Sequence, residues 1–394
     1  MITSLGLKTF MKRNNIKFST FFIILYFLIA PFEYSLNIGF GTILKYLASL
    51  YVVSFIFDIV LYKISLRIKF FQILAFFLLI LSYLSYFWAR IPELVIEENT
   101  AQFFLISFFL VTSFQVLNKK EVNFLENTVI MSGLILMVYI YILFSLGLLN
   151  EGRLTLNEGD DPNALAALLF LPSIVTLNKA RLYKNYVFIF LLIFFLIASG
   201  IVLTGSRGAL FSIIFIFILY TFDVLIRERK INYKLLVLSL YFLVIFLFNS
   251  LVPVSLYSRF INNDFITNEF LNPYSRTNIW KTIMNNIIPE MPFLGYGSGN
   301  AYFIVGEYMG IPLSSHNLIF DILLQFGFLG VIIFLSFLIS LFLFLLKYKQ
   351  HHLIFAFIGI LLVTIFLEGL SKKYFWNVII FSVLTNHNFS IKEI

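Results

Sequence analysis

Long apolar runs constrain the fold of this chain more than any other feature. Stretches of about 20 residues that are nearly free of charge recur along it, for example at 185–203 and 208–226, and about 20 apolar residues in a helix cross a bilayer. The runs are continuous rather than alternating, which excludes a β-barrel. Only 12% of residues are charged, against roughly a quarter in soluble domains. We therefore predict an all-α, polytopic membrane protein.

Twelve apolar segments are readable, and we expect them to form about twelve transmembrane helices. The last is short for a full span, and the tenth is long enough for its first turns to project above the bilayer. No internal repeat and no low-complexity linker divides the chain, so we expect residues 1–394 to form a single transmembrane domain. The segments are 18–32, 40–61, 69–89, 99–117, 127–148, 162–178, 185–203, 208–226, 235–252, 317–346, 353–371 and 374–386.

The distribution of basic residues predicts how these helices are oriented. With the N-terminus inside, the inner segments hold 19 of the 28 Lys and Arg residues and the outer segments hold eight. Cytoplasmic loops carry such an excess, so we expect a cytoplasmic N-terminus. The apolar run after Lys17 has no small-residue cleavage site, which favours a retained first span over a signal peptide. The net charge of +8 is explained by these loops and does not indicate nucleic-acid binding.

One long polar stretch, 253–316, is predicted to form an outward-facing loop subdomain. Apolar residues recur in it every four positions from Ile279 to Ile288, which predicts an amphipathic helix suited to the membrane interface. Arg276 lies in the first turn of that helix. A lid that only packs on the bundle would explain the helix but not Arg276. Three glycines at 295–299 predict an irregular backbone after it.

Three of the predicted spans begin with helix-start signals on the outer face. Asp160 or Asp161 can cap the sixth span, and Pro162, in the sequence Asp161-Pro162-Asn163, suits its first helical position. Ser206, within Thr204-Gly205-Ser206-Arg207-Gly208, can cap the eighth span, and His316-Asn317 opens the tenth. Helix N-termini carry partial positive charge and unpaired N–H groups. A good helix start alone would explain Asp161 and Pro162, and a snorkelling arginine would explain Arg207.

Two arginines and one histidine are the candidates for chemistry. The guanidinium groups of Arg207 and Arg276 match phosphate oxygens, so we predict an anion site at the lipid–water boundary that a lipid-linked pyrophosphate would fit. The His316 imidazole can act as a general base near pH 7, although a lone histidine can also be structural. The chain has no cysteine, no Asp-x-Asp motif and no second histidine near His316. We therefore predict neither a metal nor a cofactor.

Together these motifs resemble the O-antigen polymerase and O-antigen ligase superfamily of bacterial envelope enzymes. The resemblance implies a GT-C-like glycosyltransferase of the bacterial cytoplasmic (inner) membrane with a periplasmic or extracellular large loop. It also implies metal-independent transfer of glycan from an undecaprenyl-pyrophosphate-linked oligosaccharide to an acceptor hydroxyl. It covers about 150–345 and is carried by Asp161-Pro162-Asn163, the 204–208 stretch, Arg276 with Trp280, 293–297, and His316-Asn317 with Gly327 and Gly330.

The resemblance also implies roles for particular residues. Arg207 and Arg276 would bind the pyrophosphate, and His316 would assist deprotonation of the acceptor. These three are the predicted catalytic residues. Further substrate-binding candidates are Arg153, Arg259, Asp161, Asn163, Tyr296 and Asn317.

The superfamily contains two activities, and a polymerase is favoured here. A polymerase uses a second lipid-linked repeat unit as acceptor, whereas a ligase uses the lipid A core. Polymerases are the more varied in sequence, and the 51 Phe suit one that makes O-antigen, capsule or exopolysaccharide. Membrane lipids are expected partners, and a chain-length regulator stays open as another.

Two rival functions come from other classes. A flippase for the same lipid-linked sugars would need polar groups at mid-membrane depth and usually an internal repeat; Lys45, Asp58 and Glu368 are the main hints. A structural membrane protein without chemistry would tolerate the loss of Arg207, Arg276 and His316.

Overall fold

The structure is a computed structural model, and it describes most of the chain. The described residues are 17–35, 37–38, 41–62, 66–147, 154–155, 161–228, 272–348 and 351–386, with isolated positions between 231 and 239. Within them the protein is an all-α polytopic membrane protein, as predicted. Arg153, Arg259 and the first part of the predicted loop subdomain, 253–271, lie outside the described residues.

Thirteen α-helices can be followed along the described residues. A π-helical turn, Ile283–Ile287, continues α9, and short 3-10 turns lie at Ala30–Ser35, Ser85–Phe87 and Lys184–Tyr186. A two-residue antiparallel ladder pairs β1 (Asn37–Ile38) with β2 (Gly41–Thr42). The helices are α1 Phe18–Ile29, α2 Ile43–Tyr62, α3 Phe70–Leu84, α4 Pro92–Thr112, α5 Lys119–Ser145, α6 Pro162–Leu182, α7 Val187–Leu203, α8 Arg207–Arg227, α9 Arg276–Thr282, α10 Ala301–Met309, α11 Leu318–Lys347, α12 His351–Thr364 and α13 Lys373–Thr385.

Eleven of the twelve predicted segments are helices. Eight of these are long and apolar enough to cross a membrane, and α1, α12 and α13 are shorter apolar helices. The predicted ninth segment, 235–252, lies mostly outside the described residues. Three boundaries were wrong. The fifth helix begins at Lys119 instead of 127, because Asn118 caps it. The fourth helix begins at Pro92, because proline suits the first helical position, and the eleventh ends at Thr364 instead of 371.

Helix α6 forms the centre of the bundle. Its membrane-spanning window is 83% buried, whereas the other long helices are 33–50% buried. Small residues such as Ala166 and Ala167 are fully covered on it, and Gly133 of α5 packs directly against Pro172 in its middle. Helix packing in membranes relies on such close contacts, because lipid provides no hydrophobic drive between helices. The start of α6 is thereby held in a fixed position.

The helices alternate in direction, so their termini collect at two ends of the bundle. We call one the Arg207 end. There the starts of α6, α8 and α11 lie beside the end of α12, and the Ser206 hydroxyl donates to Asn163 at 2.7 Å. We call the other the Lys179 end. There the end of α6 lies beside the start of α5, and Lys179 pairs with Glu126 at 2.7 Å.

Candidate functional site

A chain of hydrogen bonds joins the starts of α6 and α8. The Asp161 carboxylate caps α6 by accepting from both the backbone N–H and the side-chain amide of Asn163, each at 2.8 Å. The Asn163 side-chain oxygen accepts from Ser206, and the Ser206 oxygen caps α8 by accepting from the Ala209 N–H at 3.3 Å. Asn163 and Ser206 are both buried. The first residue of α8, Arg207, is therefore held beside the start of α6.

Phe366 packs against the turn that carries Arg207. A Cβ added to Gly208 would lie 2.5 Å from the Phe366 ring, so the ring occupies the space that a side chain would take. The residue belongs to a turn, 365–372, that connects α12 to α13. We refer to it as the 365–372 turn.

Arg276 reaches the same ring from the outer segment. Ser275 caps α9 by accepting from the Asn278 N–H at 3.4 Å, which makes Arg276 the first helical residue. Its guanidinium carbon lies 5.7 Å from the centroid of the Phe366 ring, within the range of a cation–π contact. Phe366 therefore contacts both arginine-bearing elements, which are far apart in the sequence.

The start of α11 is tied to the 365–372 turn as well. Asn317 caps α11 by accepting from the N–H groups of Ile319 and Phe320 at 2.9 and 3.1 Å, and its amide donates to the Ile365 carbonyl at 3.1 Å. His316 just before it has a φ of 48°, the one positive value of a non-glycine residue among the described positions. Strained residues of this kind persist where the surroundings impose them, and they cluster at functional sites.

The sequence prediction missed the 365–372 turn, although residues of this turn contact the starts of α8, α9 and α11. Glu368 accepts a hydrogen bond from Ser314 and lies 3.8 Å from the Lys372 ammonium. Hydropathy alone carries the eleventh segment through 371, since Ile365, Phe366 and Leu367 continue its apolar run. The polar residues that follow them, from Glu368 to Lys373, are the signal that could have placed the turn.

The predicted amphipathic helix exists, but its apolar face packs on protein. It is observed as α9 followed by the π-helical turn. Ile279, Ile283 and Ile287 are buried in a small apolar cluster that includes Ile304 and Leu324. These isoleucines are covered because α10 and the first turns of α11 provide a matching apolar surface; the predicted position of the helix at the membrane interface stays a prediction.

Trp280 of the same helix lies on the side towards His316. Its indole N–H donates to the Ser315 carbonyl at 2.8 Å, and its ring lies 5.6 Å from that of Phe320. A buried Trp usually finds such a partner for its N–H group. The contact fixes α9, and Arg276 with it, against the segment that holds His316.

A break in α11 attaches the following segment, 292–297, to the bundle. Gly327 has a φ of 60° and a ψ of −160°, which frees backbone groups on both sides of it. The N–H groups of Tyr296 and Gly297 donate to the carbonyls of residues 324 and 325 at 2.8 and 2.9 Å, and the Phe328 N–H donates to the Pro292 carbonyl at 2.8 Å. Irregular backbone at membrane depth requires such partners. The predicted irregular stretch is observed, with positive φ at Gly295.

Tyr296 has the contacts of a packing residue rather than those predicted for a substrate-binding one. Its side chain is 8% exposed and belongs to the apolar cluster under α9. Its hydroxyl donates to the Ile287 carbonyl at 2.8 Å. Burial, together with the nearby Glu290 carboxylate, raises the pKa of Tyr296, so the hydroxyl stays protonated and keeps this bond.

The assembled site is suited to an anion. The N-termini of α6, α8 and α11 meet at the Arg207 end, and each directs partial positive charge towards it. Arg207 and Arg276 add full charges there. No group of three or more His, Cys, Asp or Glu that could hold a metal occurs in the described part of the chain. The fold thus defines a polytopic membrane protein, and at one end of it two arginines lie among three helix starts, an arrangement whose chemistry suits an anionic ligand.

A comparison with protein families finds one match. Residues 192–335 match the model of the O-antigen ligase family, and the predicted relationship to the O-antigen polymerase and ligase superfamily is thereby confirmed. The matched range contains Arg207, Arg276 and His316. It supports an O-antigen ligase or polymerase type of function in bacterial polysaccharide biosynthesis, and the family's members are glycosyltransferase-like enzymes. No curated protein matches the chain.

Proposed function

We propose that this protein is a polysaccharide polymerase. It transfers glycan from an undecaprenyl-pyrophosphate-linked donor to the hydroxyl of a lipid-linked repeat unit, at the outer face of the cytoplasmic membrane. The observation that carries the proposal is the meeting of two arginine-bearing helix starts at Phe366, inside the range that matches the O-antigen ligase family. A pyrophosphate beside a bilayer is the anion that fits such a site.

The proposed reaction is a displacement at the anomeric carbon of the donor sugar. The acceptor oxygen forms a bond to that carbon while the bond from the carbon to the pyrophosphate oxygen breaks. Negative charge builds up on the departing pyrophosphate, and Arg207 and Arg276 stabilise it through charge-assisted hydrogen bonds. His316 accepts the proton of the acceptor hydroxyl. Undecaprenyl pyrophosphate leaves, and the proton on His316 is released to water.

The backbone around His316 supports a fixed position for the imidazole. The His316 N–H donates to the Ser314 hydroxyl oxygen at 3.1 Å, and the same hydroxyl donates to Glu368. Asn317 then begins α11 and binds the 365–372 turn. A general base acts only from a defined distance to the proton that it takes, and these contacts hold the backbone of His316 beside Phe366.

Loss of either arginine tests the site directly. We expect R207A and R276A to abolish long-chain glycan while the protein still accumulates in the membrane, because the leaving group would lose a charge partner. Chain-length ladders on a gel, with immunoblots for protein amount, measure both effects. Ladders like those of the wild type for both variants would overturn the site assignment.

A ligase is the second candidate function, and the match to the O-antigen ligase family favours it. A ligase would transfer the finished glycan to the lipid A core. A deletion strain separates the two activities. Loss of a polymerase leaves single repeat units on the acceptor lipid, whereas loss of a ligase leaves no attached glycan at all.

The charged residues that had hinted at a flippase lie near helix ends. Lys45 is an exposed residue in the first turn of α2. Asp58 accepts from the Ser19 N–H at 3.2 Å, at the start of α1, and Glu368 lies in the 365–372 turn. A transport path would place such groups at mid-membrane depth. Formation of a new glycosidic bond by the purified protein with a defined donor would exclude a pure flippase.

A further inference from the structure

We propose that Phe366 is a positioning residue for the donor pyrophosphate: its ring holds the Arg276 guanidinium and sets its spacing from the Arg207 turn. The inference rests on the proposed function, because it concerns the same anion. No motif in the sequence pointed to Phe366. It is argued from its two contacts and from the way its backbone is anchored.

The position of Phe366 is set by the bundle rather than by the outer segment. Its N–H donates to the Val363 carbonyl at 3.1 Å, and the preceding Ile365 N–H donates to the Leu361 carbonyl at 3.2 Å. These bonds continue the last turn of α12. The ring therefore projects from a fixed helix end, whereas α9 with Arg276 belongs to a segment that docks on that end.

A ring suits this position because it orients a guanidinium without cancelling its charge. A cation–π contact engages the flat face of the group. The N–H donors of arginine lie in the plane, at the edge of the fork that matches phosphate oxygens. A carboxylate in place of the ring would use those donors and would neutralise the charge. The ring holds Arg276 and still permits it to bind an anion.

Gly208 makes the contact between the Phe366 ring and the Arg207 turn possible. The residue after Arg207 is Gly208, and a Cβ there would come within 3.2 Å of the Phe366 Cβ as well as 2.5 Å from its ring. Phe366 therefore rests directly on the backbone of the Arg207 turn. The ring therefore lies between the two arginine-bearing elements and keeps them apart.

Binding of undecaprenyl pyrophosphate to the purified full-length protein tests the inference. We expect F366L to weaken this binding about tenfold, the loss of a partly desolvated cation–π contact. F366Y keeps the ring face and should bind within about twofold of the wild type. G208A should resemble F366L, because it displaces the ring. F222L, an exposed residue at the far end of α8, is the matched Phe-to-Leu control.

A double-mutant comparison tells positioning from a general structural effect. If Phe366 acts through Arg276, F366L should weaken binding about tenfold in the wild type and less than twofold in R276A. Equal losses in both backgrounds, or wild-type affinity in F366L, would overturn the inference. Undiminished binding in both R207A and R276A would instead refute the proposed function itself. Size-exclusion profiles of every variant confirm that folded protein is compared.

Discussion

The two ends of the bundle use their positive charges differently. At the Lys179 end the cations lie 2.6 to 2.8 Å from carboxylates; three of the four pairs join neighbouring elements, and Arg227–Asp223 lies within α8. Such close pairs tie the helices together, and the buried ones are costly to break. The pairs are Lys179–Glu126, Arg181–Asp223, Lys184–Glu228 and Arg227–Asp223.

At the Arg207 end the observed charge pairs are longer. Arg90 lies 3.7 Å from Glu307, and Lys372 lies 3.8 Å from Glu368. The Arg276 guanidinium carbon lies 5.7 Å from the centroid of an aromatic ring, that of Phe366. The difference shows how one chain separates two tasks. Charge is matched where it holds helices together, and it is oriented by rings and helix starts where an anion is proposed to bind.

Lys69 shows why arginine suits the ring-held position. Its ammonium lies 4.9 Å from the centroid of Phe344 and donates to the Ser113 carbonyl at 3.0 Å. Burial lowers the pKa of Lys69 to about 8, so a lysine held this way loses part of its charge near neutral pH. Arginine stays protonated in proteins. A guanidinium beside Phe366 therefore keeps the charge that pyrophosphate requires.

The largest expected effect comes from removing the proposed base at the Arg207 end. H316A should lower the turnover number about 100- to 10,000-fold, as loss of a general base does, with undecaprenyl pyrophosphate binding within about twofold of the wild type. Single-turnover assays with purified protein measure both quantities. H352A changes a histidine at the Lys179 end and should leave turnover unchanged. If H316A and H352A lowered turnover equally, the two ends of the bundle would not differ in their role in catalysis.

The next effect is on stability and belongs to the Lys179 end. The Lys179 side chain is 1% exposed, so K179M leaves Glu126 as a buried charge without its ion-pair partner and should cost about 3–5 kcal/mol of unfolding free energy. Unfolding in a denaturing detergent measures it. The double variant K179M/E126Q should recover much of the loss. Turnover per folded molecule should not change; a lower value would mean that this end also serves catalysis.

A smaller effect is expected when Arg276 keeps its charge but loses its shape. R276K should weaken undecaprenyl pyrophosphate binding about tenfold, because an ammonium lacks the planar fork that binds phosphate at two points. The control is K281R, an exposed position on the same helix. Wild-type affinity in R276K would show that a positive charge at position 276 is sufficient for binding. A ring that orients a planar guanidinium would then have no role.

The smallest effect concerns pH. The pKa of Lys69 is about 8 in the folded protein against 10.5 for an ordinary lysine, so between these values the unfolded chain binds the proton and the folded one does not. Stability should therefore rise as pH increases from 8 to 10.5. K69M should flatten that rise in thermal unfolding curves, while K120M, an exposed lysine, should not. If stability rises with pH as much in K69M as in the wild type, the rise comes from another titratable group.

Hydropathy predicted the helices well, because a span needs a minimum number of apolar residues. It could not find the end of α12. The apolar residues 365–367 leave the helix because contacts from α13 hold the turn, where Trp376 donates to the Leu370 carbonyl at 2.7 Å and Tyr374 to that of Glu368. A hydropathy profile averages neighbouring residues, so it does not detect contacts between separate helices and turns.

The motifs predicted which helix starts meet, but not how they are joined. Caps such as Asp161 and Ser206 can be recognised from residue type and position, and both were observed as caps. The bond between Asn163 and Ser206 depends on how two helices pack. The burial of Ile283 against α10 has the same origin, and the periodicity of an amphipathic helix does not indicate which surface covers its apolar face.

The break at Gly327 has a consequence for how this protein can vary. The hydrogen bonds that fasten the 292–297 segment to α11 are made by main-chain groups, and such bonds form whatever side chains most of the residues carry. Gly295, Gly297 and Gly327 are constrained, because a Cβ at each would collide with nearby backbone, and Tyr296 is constrained by its packing beside Leu324. Outward residues such as Phe293 and Leu294 can therefore be exchanged without loosening the attachment. Substitutions could therefore change the outer surface of the 292–297 segment while its backbone hydrogen bonds to α11 stay the same.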